Sequence, residues 1–115
     1  MVVQFFLIGA LAVAPSDRLA MADRLFNRGQ YADAAVEYRA LVGQAGIAAD
    51  EIAFRLAECD RASGRNDAAR AGYREVFTKS PDSRHAPQAR FLYAMGASGL
   101  ERRKLLADLD SDRVD

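Results

Sequence analysis

The sequence predicts an all-α fold: antiparallel helix-turn-helix units, about two full repeats and a partial third. Three observations predict it. Apolar residues recur at three- and four-residue spacing, with no alternating apolar run. Alanine is frequent, whereas valine and isoleucine are sparse after residue 13. And "GQYADAAVEY" at 29–38 is echoed by "GRNDAARAGY" at 64–73, an offset of 35 residues. Under that offset Ala22 falls on Ala57, Ala34 on Ala69, Tyr38 on Tyr73 and Leu41 on Val76.

The first element is the uncharged run "VVQFFLIGALAVA" at 2–14. A bilayer span needs about 20 residues, so this run is too short to cross one. Its length and the Ala12-Val13-Ala14 ending suit an export signal. Against that stand the absence of a preceding Lys or Arg, and Pro15, whose tertiary amide is a poor peptidase substrate. The alternative is an amino-terminal helix packed on the domain. The signal reading puts a mature domain, starting near Ser16, in the periplasm or cell envelope; the other is compatible with the cytoplasm. No cysteine follows the run to carry a lipid anchor.

The helical domain is expected over 15–110. In the first unit, Leu19, Ala22, Leu25 and Phe26 form the stripe of one helix. Gly29 suits a left-handed cap, and Tyr31, Ala34, Ala35, Tyr38, Leu41 and Val42 mark the second helix. The short turn makes the two antiparallel neighbours, and the alanines allow their backbones to approach. The second unit has Ile52, Ala53, Leu56 and Ala57, a turn at Gly64, then Ala69, Tyr73, Val76 and Phe77. Pro81 stops it, and Asp82 or Ser83 is placed to cap the next helix. The third unit is partial: Ala89, Leu92 and Tyr93, with Pro87 in the opening turn. Ser98 with Glu101 forms a capping box for a final helix carrying Leu105, Leu106 and Leu109. Residues 111–115 read as a polar tail.

The chemistry is sparse. The 115 residues carry 16 basic and 16 acidic side chains, a balance without the electrostatic footprint of a nucleic-acid or anionic-lipid binder. His85 is the only histidine and has no companion ligand nearby, so it reads as a solvated or capping residue. Cys59, the only cysteine, reads as a small buried thiol. Gly96 and Gly99 lack the Lys-Ser or Lys-Thr of a phosphate loop. The expectation is therefore no catalytic residue, no cofactor and no metal, and a chain that is not an enzyme.

The repeat resembles the tetratricopeptide family. The residues that carry the resemblance are Ala22, Gly29, Tyr31, Ala34 and Tyr38 in the first copy. In the second they are Leu56, Ala57, Gly64, Ala69, Tyr73 and Pro81. It covers roughly residues 16–97. Asn66 departs from it, where an aromatic is expected, as do Asp60 and the missing proline at the end of the first copy. The segment "SPDSRHAPQARFLYAMG" at 80–96 is most similar to the bacterial envelope subgroup, of the Tol–Pal coordinator and outer-membrane assembly lipoprotein type.

The resemblance implies an interaction scaffold whose first helices line a concave groove for a partner protein or peptide. By register the lining would be Leu19, Asp23, Phe26 and Asn27, then Phe54, Glu58 and Arg61, then Tyr93. Phe26 and Phe54 matter most there if they lie off the packing stripe; otherwise Phe26 joins the core and Phe54 packs on the neighbouring pair. Leu19 and Asp23 stand where a carboxylate clamp would need a basic residue and an asparagine, so a peptide carboxylate is a poor ligand. Neither nucleic acid nor insertion of the repeat domain into a membrane is expected. Because the third unit is incomplete, the open end offers an alternative use: self-association into a homo-oligomer.

Overall fold

A computed structural model of the chain describes residues 13–96 and 99–114. The signal-like run up to residue 12 lies outside them, as does Ser98 and with it the expected capping box. The described residues form six helices and no strand: α1 (Pro15–Asn27), α2 (Tyr31–Ala40), α3 (Ala49–Ala62), α4 (Asn66–Lys79), α5 (Ala86–Met95) and α6 (Gly99–Val114). Each packs chiefly on the helix before it and the helix after it in the chain. The described residues are all-α, as composition and periodicity predict. Among the described residues no helix is long and apolar enough to cross a membrane.

Helix ends follow local chemistry. α1 opens on Pro15, whose fixed φ suits a first turn and whose missing N–H leaves no donor orphaned there. Asp17 in its first turn and Arg24 in its last complement the helix dipole. The two glycine turns then close in the same way. Gly29 adopts φ +81° and Gly64 φ +82°. At the first, the Gly29 N–H donates to the Phe26 carbonyl at 2.9 Å and the Gln30 N–H to Leu25 at 2.9 Å. At the second, Gly64 donates to Arg61 at 3.0 Å and Arg65 to Asp60 at 2.8 Å. Both are Schellman closures, and a left-handed residue without Cβ is what they require.

Two clusters form the core, and α3 belongs to both. The first gathers Ala22, Ala34, Ala35, Tyr38 and Leu41 of the α1–α2 hairpin around Ile52 and Cys59 of α3. The second gathers Ala69, Tyr73 and Val76 of α4 and Ala89 of α5 around Phe54 and Ala57 of α3. The contact alanines 22, 34, 57 and 69 are all at most 2% exposed. One tight contact escapes the sequence pattern: a Cβ on Gly72 would lie 2.9 Å from the Ala57 Cβ, so α3 and α4 meet where both residues are small.

The last two helices depart from expectation in two places. α5 begins at Ala86 with His85 in the cap position, and no side chain caps it. Ser83 instead accepts a hydrogen bond from the His85 N–H at 3.1 Å and donates its own hydroxyl to Asp50 of α3. α6 also continues past Leu109 to Val114, through residues that read as a tail.

Candidate functional site

At 100° per residue, α3 presents two opposite faces between its fully buried positions, with Ala53 and Leu56 half-buried at the edge of the core. Glu51, Arg55 and Glu58 lie on one, Ala49, Ala53, Leu56 and Asp60 on the other. The expected groove belongs to the first face, and the structure fills that face with polar contacts. The Tyr38 hydroxyl of α2 donates to Asp23 of α1, and 35 residues on, the Tyr73 hydroxyl of α4 donates to Glu58 of α3. Burial, then the neighbouring carboxylate, pushes both phenols well above their ordinary value. Arg61 holds Glu58 at 2.8 Å and donates its Nε to the Tyr73 oxygen at 2.9 Å. Arg55 reaches from α3 toward Asp23 of α1 at 4.0 Å and toward Glu51 at 3.3 Å.

The eight residues expected to line the groove therefore divide. Asp23, Glu58 and Arg61 share the polar face. Leu19 and Phe26 are half-buried against the first core cluster, Phe26 edge-on to Tyr31 with ring centres 5.1 Å apart. Asn27 is exposed at the end of α1. Phe54 is not a groove residue: it is 4% exposed, because α4 and α5 close over it. Tyr93 stands apart, edge-on to Phe77 at 5.5 Å and beneath the Arg70 guanidinium at 4.0 Å. It lines a depression over α4 with Asp67, Arg70 and Arg74, and Ala71 and Glu75 stand between this depression and the groove over α3.

His85 is neither solvated nor a side-chain cap. Its side chain is 13% exposed and its ring stacks on Phe54, centres 4.6 Å apart. Its Nε2 stands 3.0 Å from Glu51, at ion-pair distance but without hydrogen-bond geometry. Arg84 also reaches Glu51, at 2.7 Å. Three successive residues of the α4–α5 turn, Ser83, Arg84 and His85, thus dock on Asp50 and Glu51 in the first turn of α3. Burial raises the Glu51 carboxyl, but the Arg84 hydrogen bond and the charges of His85 and Arg55 outweigh it and hold the group below its ordinary value. The Ser83 hydroxyl does the same for Asp50. Among the described residues no group of three or more His, Cys, Asp and Glu is placed to hold a metal ion. Cys59 is fully buried, and burial pushes its thiol up to about 11.

The opposite face is open. A groove of about 640 Å³ runs over α3 between the end of α2 and the length of α4. Its floor and walls are Leu41, Val42, Ala53, Leu56, Ala71 and Val76, and Asp50, Asp60, Glu75 and Lys79 stand at its rim. Val42 is 63% exposed there. Sequence reading misses this surface, because Ala68, Ala71 and Gly72 fall off the apolar stripe of α4 and look like solvated positions. The one available signal was their size: three small residues together on a helix face that elsewhere carries Glu75 and Lys79. Compared with protein-family models, curated proteins and solved structures, the chain matches none.

Proposed function

We propose that the chain is a tetratricopeptide-like module that binds a partner protein or peptide and has no catalytic step of its own. The observation that carries this reading is the open groove over α3, a mostly apolar trough bounded by the α3–α4 hairpin and the turn that follows α2. A concave surface of this size, lined mostly by apolar side chains with a few polar groups at its edge, is the usual form of a binding site. The matching glycine turns and the matching Tyr38–Asp23 and Tyr73–Glu58 bonds support the repeat reading. The apolar run at 2–14 and the similarity of residues 80–96 to the envelope subgroup support work in the cell envelope. The test is site-specific photocrosslinking in the native host, with the reactive residue placed at Ala71 in the groove or at Asn27 at the α1 end. A discrete adduct from one position supports an interaction module; no adduct from either, with the protein folded, refutes it.

A second reading has its own observation. Phe91 and Met95 lie one turn apart on α5 and are 48% and 44% exposed. A second copy covering them would make the chain self-associating. Light scattering decides this: a monomer at high concentration removes it.

A further inference from the structure

We propose that the groove over α3 takes a basic amphipathic helix of the partner, about three turns long. The proposal rests on the partner-binding reading above and names the partner's chemistry. Length comes first. The α4 wall runs from Ala68 to Lys79, which at 1.5 Å per residue is about 17 Å, the span of a three-turn helix. Depth comes second. Ala53, Ala68 and Ala71 are small, so a helix can descend toward the α3 and α4 backbones and set its own larger side chains between Leu56 and Val42. An extended strand would find no free sheet edge here, since the described residues contain none.

Charge decides which helix. The rim presents Asp50, Asp60 and Glu75 against Lys79 alone. Lys79 pairs with Glu75 at 2.8 Å, and Arg65, from outside the groove, pairs with Asp60 at 3.0 Å. With both cations counted the rim is still negative, and Asp50 has a hydroxyl as its hydrogen-bond partner, not a cation. A helix carrying Lys or Arg beside its apolar stripe is attracted along this rim; one carrying Glu is repelled.

The test uses the full chain, isotopically labelled, and two synthetic probes. One is a 14-residue helical peptide of Leu and Lys, the other the same peptide with Glu for Lys. The expected result is that the Lys peptide shifts the amides of Ala53, Leu56, Ala68 and Ala71, and the Glu peptide binds at least ten-fold more weakly. Ala71→Arg, at an exposed position, should weaken the Lys peptide at least ten-fold with an unchanged circular dichroism spectrum. The double variant Asp60→Asn, Glu75→Gln should narrow the preference for Lys over Glu. Equal binding of the two peptides, or no binding, overturns the proposal. So does a footprint on Asp23, Glu58 and Arg61, which would leave the interaction module standing and move its site. Groove amides that shift with protein concentration alone would make the occupant a second copy, and overturn it too.

Discussion

Replacing Phe54 by Ala distinguishes a groove residue from a core residue. A side chain offered to a partner, off the packing of its own chain, would cost the fold within about 0.5 kcal/mol when truncated. Phe54 is instead 4% exposed, stacked on His85 at 4.6 Å and tilted against Tyr73 at 5.9 Å. Truncating a buried phenylalanine to alanine costs about 3–5 kcal/mol through lost transfer energy and the cavity left behind. The two ring contacts place this site toward the upper part of that range. Domains of this size are stable by about 5–15 kcal/mol, so the variant should retain a small margin. At about 4 °C or more per kcal/mol, its thermal midpoint should fall by at least about 12 °C. The assay is urea and thermal unfolding followed by helical circular dichroism, with Phe91→Ala as control. Phe91 is 48% exposed, so its truncation should cost about 1 kcal/mol or less. If Phe54→Ala unfolds within about 1 kcal/mol of the parent, the packing of α5 over Phe54 is refuted.

Gly72→Ala should destabilise by about 1–3 kcal/mol, although alanine is the better helix former, because its methyl would meet the Ala57 Cβ at 2.9 Å. Adding Ala57→Gly should return part of that loss, and additive losses in chemical denaturation would refute the close contact. Tyr38→Phe and Tyr73→Phe should each cost about 1.5–3 kcal/mol, since each hydroxyl donates to a carboxylate, and the two losses should add because they lie in different hairpins. The Cys59 thiol should stay unreacted with a disulfide exchange reagent in native protein at pH 8 and react once urea unfolds it; rapid native reaction would contradict its burial. Stability against pH should fall at both ends. Asp50 and Glu51 titrate below their ordinary 3.8 and 4.5, so their contribution is complete above those values and lost as pH falls through the folded ones. Cys59, Tyr38 and Tyr73 titrate above 9.0 and 10.0, so theirs is lost as pH rises past those values, and Tyr73→Phe should shallow the alkaline arm of a thermal-midpoint profile.

How much was legible follows from where each force acts. Helices, turns and contact alanines were legible because their causes are local or periodic: a left-handed glycine after a helix, an apolar stripe, a proline at an end. Gly29 and Gly64 needed nothing beyond their own backbone to be read. The sequence leaves Phe54 open between groove and neighbouring pair because its burial depends on α5, whose distance from α3 no short-range pattern contains. His85 was misread for the same reason. Its neighbours in sequence are Pro87 and Ser83, but its neighbours in space are Phe54 and Glu51, more than 30 residues away. The groove was hardest, since small residues on a polar face differ little in sequence from solvated ones.

The position of the groove has a physical cause that the repeat pattern leaves open. On the first-helix face, every hairpin must do something with the polar end of its buried tyrosine. Tyr38 and Tyr73 are at most 1% exposed, and each hydroxyl would be stranded without an acceptor. Asp23 and Glu58 supply it, and once these carboxylates are committed, Arg55 and Arg61 collect around them. The face becomes a hydrogen-bonded lattice with little apolar area left for a ligand. The opposite face carries no such obligation. There Leu56 and Val42 stand beside small residues instead of tyrosines, and the space those small residues leave stays open. A Tyr73→Phe variant with Glu58→Leu would loosen the first face without touching the groove. Unchanged peptide binding in that variant is the outcome that separates the two surfaces, and a parallel loss of binding and of the Tyr73 bond would join them.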